Sequence, residues 1–255
     1  MLKPGLVSIT FRDLSPERII ELCRENGLEG IEWGGDRHVP HGDLDAAIRI
    51  GRLSRDTGIE VVSYGSYYRL GSSEEEGLSF DRVLDTAVAL HAPLIRVWAG
   101  PEKPLSRYTE QDRSAVCEDA RRIAELSRKR GIAIAYEYHR NTMTETNESA
   151  KQLLDAARDE NILCYWQPPN GAAPEYALEG LGLVLPRLAH LHVFHWLDRQ
   201  HQFPLADGAH TWKRYLELTS RSEKDHYALL EFVRGDSPDQ LAEDARVLRE
   251  WLGSS

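Results

Sequence analysis

The sequence predicts an α/β protein built as a single (β/α)8 TIM barrel. Strand-like and helix-like patterns alternate strictly from end to end, which calls for parallel strands joined by crossover helices. Eight strand candidates occur in that alternation. The chain has 255 residues, the size of one such barrel, and eight units in that length favour a closed barrel over an open doubly wound sheet. No composition break, linker or low-complexity tract marks a second domain, so residues 1–255 are read as one barrel domain.

The strand candidates are short and rich in branched or aromatic residues, as buried parallel strands should be. In order they are GLVSITF (5–11), GIEWGG (30–35), IEVVSYGS (59–66), LIRVWAG (94–100), IAIAYEYH (132–139), ILCYWQ (162–167), LAHLHVFHW (188–196) and YALLEFV (227–233). Amphipathic helical stretches lie between them. Ser15-Pro16-Glu17 puts a capping hydroxyl before proline at the first helical position. Thr109-Glu110-Gln111-Asp112 and Ser237-Pro238-Asp239-Gln240 resemble capping boxes. The helix over 109–130 ends in Lys129 and Arg130, which suit the negative helix end, and Gly131 can close it. The pattern APEYALEGLGLVLPRL is the weakest helix because it holds two glycines. SSEEEG (72–77) reads as a solvated loop, with a lid over the barrel mouth as its second reading.

Composition bounds the function. A hydrophobic share of 41% is enough for a substantial core, and 28% charged residues suit a solvated exterior. A net charge of -10 opposes binding to a phosphate backbone, which needs a basic stripe, so no nucleic-acid partner is expected. The three cysteines, Cys23, Cys117 and Cys164, form no CxxC pair and read as small buried hydrophobes in a reducing compartment. No signal-peptide pattern opens the chain, and no apolar run approaches the ~18 residues of a membrane span. The expectation is a cytoplasmic protein with no membrane partner.

In barrels of this class the chemistry lies at the C-terminal ends of the strands. Those ends carry Glu32, Trp33, Tyr64, Arg96, Trp98, Glu137, His139, Trp166, Gln167, His192, His195, Trp196 and Glu231. A buried carboxylate needs a cation or hydrogen-bond donors, and one metal ion would satisfy several at once. Glutamate oxygen and histidine nitrogen are ligands for Mn, Mg, Co or Zn. Each residue also has a plainer reading. Glu137 can pair with Arg96, Glu231 with Arg234 or Arg96, and His192 can be a core histidine bonded to a backbone carbonyl. Three candidate ligands on three strands, near one end of one barrel, are harder to explain singly. Four of the six tryptophans, Trp33, Trp98, Trp166 and Trp196, also fall at strand ends. They either plug the barrel mouth or offer aromatic faces to the C–H face of a sugar, and four together favour a small-molecule carbohydrate. The glycine-rich GGDRH (34–38) lacks the spacing of a phosphate loop, and there is no GxSxG elbow.

GIEWGG, IAIAYEYHRN, HLHVFHW, LLEF and FPLADGAHTWKRYLEL (203–218), in this order and spacing, resemble the xylose isomerase-like TIM barrels, a family of sugar phosphate isomerases and epimerases. The resemblance covers nearly the whole chain. It implies that one divalent ion is held at the positions of Glu137, Gln167, His192 and Glu231, where the family has glutamate, aspartate, histidine and glutamate. It implies Glu137 and Glu231 as the acid/base pair, with the metal gripping adjacent substrate oxygens as an enediolate forms. Asn170 stands where the family often has a histidine, and Arg199 is roughly placed as a substrate-binding arginine. Their places at strand ends make Trp33, Tyr64, Arg96, Trp98, His139, Trp166, His195 and Trp196 the expected substrate-pocket residues, and the resemblance implies a homo-oligomer, dimer or tetramer. Strand six departs twice, at Gln167 and Asn170. Gln167 still offers a neutral oxygen, but the site carries two carboxylate ligands instead of three, which weakens its attraction for a hard dication.

The leading expectation is a metal-dependent sugar isomerase or epimerase that moves a proton next to a carbonyl. A dehydratase or lyase of the same fold comes second. The alternatives are a non-catalytic or metal-free sugar-binding barrel and an endonuclease-like relative, the last opposed by the acidic balance and a shortage of metal ligands.

Overall fold

The computed structural model describes residues 1–198 and 201–253. Eight strands close into a parallel barrel: β1 (Leu2–Val7), β2 (Gly30–Gly34), β3 (Glu60–Arg69), β4 (Leu94–Trp98), β5 (Ala133–Glu137), β6 (Ile162–Trp166), β7 (Leu188–Val193) and β10 (His226–Leu230). β1 closes the ring by pairing with both β2 and β10. The short antiparallel strands β8 (Trp196–Asp198) and β9 (His201–Gln202) stand apart from it, above β7. Helices α1 (Pro16–Glu25), α2 (Leu44–Asp56), α3 (Phe80–Leu90), α4 (Glu110–Arg128), α5 (Asn147–Ala157), α6 (Pro174–Val184), α7 (Ala209–Thr219) and α8 (Pro238–Leu252) cover the outside. The expected eight-stranded barrel is what the chain forms.

Local chemistry sets most boundaries as the sequence predicts. Ser15 accepts a hydrogen bond from the Arg18 amide, and Thr109 with Asp112 makes a reciprocal capping box. Ser237 does not cap: its side chain makes no hydrogen bond to the first turn of α8, and Gln240 reaches Asp244 instead, at 2.9 Å. The glycine-rich α6 forms despite its glycines, and Gly180 has a packing role in it. A Cβ at that position would lie 1.9 Å from the Asn147 Oδ1 of α5, so glycine lets the two helices meet. The first strand begins earlier than the sequence suggests and stops at Val7, where Ser8–Phe11 turns into a 3-10 helix. There the Ser8 hydroxyl accepts from the Gly34 amide at 2.9 Å, tying β1 to the end of β2. The seventh strand stops at Val193, and Trp196 opens the separate hairpin. In the 72–77 loop, Glu74 pairs with Arg122 of α4 and accepts from the Phe80 amide.

Two apolar layers follow from strand alternation. Outward positions such as Ile31, Ile95, Cys164 and Leu191 pack under the helices. Inward positions such as Leu94, Ala135, Tyr165 and Leu229 form a smaller cluster that fills the barrel. The polar site sits on top of this inner plug. Cys23 and Cys164 are buried and all three cysteines are unpaired; burial pushes the Cys23 thiol up to about 12. No helix among the described residues is long and apolar enough to cross a membrane.

Candidate active site

Six polar side chains converge at the C-terminal mouth because each takes an inward position at or just past a strand end. They are Glu32 on β2, Arg96 on β4, Glu137 closing β5, Gln167 just after β6, His192 on β7 and Glu231 just after β10. Arg96 is the electrostatic hub, 1% exposed. Its Nε donates to Glu32 at 2.8 Å, and its Nη1 donates to Glu137 Oε2 in a short contact. Such an approach is possible because position 65 is glycine: a Cβ there would lie 2.7 Å from Arg96 Nη2 and 2.8 Å from Glu32 Oε1. Trp98 Nε1 donates to the same oxygen of Glu137. The plainer reading of Glu137 as an ion-pair partner of Arg96 is therefore also realised.

His192 is fully buried among three carboxylates. Its Nδ1 lies 3.5 Å from Glu137 and 3.6 Å from Glu231, and its Nε2 lies 3.7 Å from Glu32. These separations are too long for hydrogen bonds, and both ring nitrogens lack a partner. The expected alternative of a core histidine bonded to a backbone carbonyl does not hold. Burial alone would favour neutral imidazole, but Glu231, Glu137 and Glu32 overcome it and push His192 up to about 10. Burial also opposes ionisation of Glu32 and Glu137, yet the Arg96 guanidinium wins at both, holding Glu32 at about 2 and Glu137 well below the usual carboxylate range. Glu231 goes the other way. Burial, helped by the negative Glu137, raises it to about 7 against the pull of His192. Among the described residues no N–H or O–H group donates to the Glu231 carboxylate.

The depressed carboxylates make a pH prediction. Glu32 titrates at about 2 in the fold against an ordinary 4.5, so the unfolded chain binds more protons between those values. Its stabilisation is complete above about 4.5 and is lost as pH falls toward about 2. Thermal melts should therefore show Tm dropping through this window, with a smaller drop in Glu32→Gln. An equal drop in both proteins would remove Glu32 from the acid transition.

The residues present fit a divalent ion. Ligand atoms of Glu137, His192 and Glu231 lie within 4.8 Å of one another. Gln167 lies beside them: its Nε2 donates to the Tyr138 carbonyl at 2.6 Å and more weakly to Glu137 at 3.4 Å, and its buried Oε1 is left without a partner. Once His192 is neutral, three carboxylates against one guanidinium leave two negative charges, the charge one divalent cation balances. The amide on strand six is thus compatible with a metal, because Glu32 supplies a carboxylate from strand two.

Above these groups lies a cavity of about 590 Å³. Glu137, Gln167 and Glu231 form its floor, and Trp98, His139, Asn170, Trp196 and Phe232 stand around it. His139 stacks on Trp98 with ring centres 4.7 Å apart. Arg96 lies beneath the floor rather than in the wall. Three aromatics expected in the pocket are elsewhere. Trp33 donates to Ser54 of α2, Tyr64 bonds the Val39 carbonyl and His41, and Trp166 packs on Trp212 and Tyr215 of α7. Each sits one residue from an inward side chain, so the pleat turns it to the helix layer. His195 packs against Phe203 and likewise leaves the cavity wall. Arg199 lies outside the described residues. Glu32, a strand-end residue to which the sequence assigns no role, joins the site because the pleat turns it inward beside the outward Trp33.

A parallel barrel with carboxylate, histidine and amide side chains gathered at its mouth defines the class of protein. The sequence profile of the xylose isomerase-like TIM barrels matches residues 20–251, and the chain belongs to that family. A relative, 3-dehydroshikimate dehydratase from Bacillus anthracis, is 24% identical over 278 aligned positions, covering 97% of this chain and 96% of the relative. Among solved structures, a probable 3-DHS dehydratase from Bacillus anthracis superposes with a TM-score of 0.79 at 21% identity, covering 96% of this chain and 98% of the other. D-psicose 3-epimerase from Clostridium cellulolyticum gives 0.74 at 14% identity, covering 98% of each chain. A family protein from Mycobacterium smegmatis, solved with magnesium, gives 0.71 at 17% identity, covering 98% and 96%. These likenesses establish a shared fold.

Proposed function

We propose that the protein is a metal-dependent enzyme that removes a proton next to the carbonyl of a polyhydroxylated substrate, and that the reaction ends in loss of water. The asymmetry between the two carboxylates at the cavity floor carries this reading. Glu231 has no donor among the described residues, and burial and the negative Glu137 raise its proton affinity, so it is the carboxylate poised to accept a proton. Glu137 is gripped by Arg96 and Trp98 and resists protonation.

In this scheme the Glu231 carboxylate takes the C–H proton, and the C–H electron pair moves toward the carbonyl to give an enolate. The enolate then reforms the carbonyl while the bond to the neighbouring hydroxyl breaks. The departing oxygen takes the proton back from Glu231 and leaves as water, so the enzyme returns to its starting state. A divalent ion held by Glu137, Gln167, His192 and Glu231 would supply polarisation of the carbonyl oxygen. Arg96 keeps Glu137 charged throughout.

The isomerase or epimerase reading has support from the D-psicose 3-epimerase fold likeness. Epimerisation through two bases needs each carboxylate to hold a proton at some stage, and the Arg96 grip on Glu137 opposes that. The dehydratase relative favours elimination and points to 3-dehydroshikimate, a hydroxylated ring ketone, as the first substrate to test. Proton NMR in D2O with Mg, Mn, Co or Zn would follow 3-dehydroshikimate beside D-fructose and D-psicose. Loss of water from the ring ketone is the expected result. Epimer formation from a ketose, with no elimination, would sink the proposal in favour of the epimerase reading.

A further inference from the structure

We infer that Glu32 is the positioning residue for the metal-binding histidine: it faces the Nε2 edge of His192 and so presents Nδ1 to the ion. The inference rests on the metal-dependent reading above and adds a residue to it. The two edges of the imidazole are chemically distinct. Nδ1 faces Glu137 and Glu231, the two carboxylates with which His192 forms the ligand cluster. Nε2 faces Glu32 at 3.7 Å. A neutral imidazole carries one N–H, and a nitrogen that binds a metal must be the one without it. The carboxylate on the Nε2 side stabilises the proton there, which leaves the Nδ1 lone pair for the ion. Metal-ligating histidines are commonly oriented by a carboxylate on their other nitrogen.

Glu32 is built to stay in place. It is 0% exposed. One oxygen accepts from Arg96 at 2.8 Å, and the other, the one facing His192, accepts from the Ser63 hydroxyl at 2.8 Å. Ser63 is within hydrogen-bond distance of the Tyr165 hydroxyl, also 2.8 Å. The hydroxyls can order as a chain in which Tyr165 donates to Ser63 and Ser63 to Glu32, so the carboxylate cannot swing away from the imidazole without breaking it. The placement also accounts for a site that tolerates an amide on strand six. The negative charge absent at Gln167 is present one shell further out, behind the histidine.

The test compares wild type with Glu32→Gln, Ser63→Ala and His192→Ala, each titrated with Zn2+ by calorimetry after metal removal. Long-range 1H–15N NMR on histidine-labelled, zinc-loaded protein would read which ring nitrogen of His192 carries the proton. The expected results are a wild-type His192 protonated at Nε2 and bound through Nδ1, and a loss of about 10–100-fold in zinc affinity in Glu32→Gln. Ser63→Ala, which keeps the charge and removes only its tether, should lose less than Glu32→Gln and guards against a Glu32 variant that fails to fold. If the Glu32→Gln protein melts earlier but keeps wild-type zinc affinity and the same tautomer, Glu32 merely balances Arg96 and the inference fails alone. If wild type binds no zinc, or His192→Ala binds it equally well, the metal reading fails and takes the inference with it.

Discussion

Replacing Glu231 by glutamine is expected to lower kcat by about 10²–10⁴-fold, the usual contribution of a positioned general base, while the barrel remains folded. Glutamine matches the size of glutamate but cannot accept the proton. The fold should not suffer, because no hydrogen bond to this carboxylate is lost among the described residues. Metal-free protein should show the reverse of a structural penalty. The Glu231 carboxyl is raised from 4.5 to about 7, so the folded state binds more protons than the unfolded state across that window. Wild-type stability then falls as pH rises from about 4.5 through about 7. The variant escapes this loss, so its Tm should equal or exceed that of wild type at pH 8. In turnover, the ionised base is the working form, and kcat/KM of wild type should rise with pH to a plateau. A bound cation moves that midpoint below 7. Full activity in Glu231→Gln on a verified substrate would remove the residue from the reaction.

The parallel barrel was legible because its signal is local and repeated: short branched strands, capped helices and strict alternation. The convergence of Glu137, His192 and Glu231 was legible because the fifth, seventh and eighth barrel strands place them at their ends, where barrel chemistry occurs. Two things were hidden for different reasons. Trp33, Tyr64 and Trp166 stand at the right strands but one residue out of phase, and a strand end cannot be assigned a face until its register is known. Counting in twos from Glu137 or His192 would have required the pairing itself. The pairing of Arg96 with both Glu32 and Glu137 spans 64 and 41 residues of chain. A sequence shows that such charges exist but not which of them meet. Glu32 was thus visible as a residue and invisible as a partner. Ser63 and Tyr165, which hold it, carry no pattern that separates them from ordinary strand residues.

Arg96→Leu is expected to be the most damaging single change to stability. The substitution keeps bulk and removes the only guanidinium that bonds both Glu32 and Glu137 among the described residues. Leaving buried charge uncompensated costs about 3–5 kcal/mol, and in a chain of this size each kcal/mol shifts Tm by about 2–4 °C. A fall of roughly 10 °C in a circular-dichroism melt at pH 7 follows. The cause can be separated from lost packing in two ways. Adding Glu32→Gln to Arg96→Leu removes one of the stranded charges and should recover part of the loss, a coupling that a double-mutant cycle measures. A divalent ion supplies positive charge at the same place, so the Tm gain on adding Mn or Zn should be larger in Arg96→Leu than in wild type, provided the site still binds it. Lysine is the informative intermediate: Arg96→Lys keeps the charge but replaces a planar fork that bonds two carboxylates by a single ammonium. It should fall between wild type and leucine in Tm. A leucine variant that melts within 2 °C of wild type would mean that Glu32 and Glu137 lose their charge when the guanidinium is gone. The barrel mouth would then be held by its aromatic and aliphatic packing, and the carboxylates would owe their ionised state, though not their positions, to Arg96.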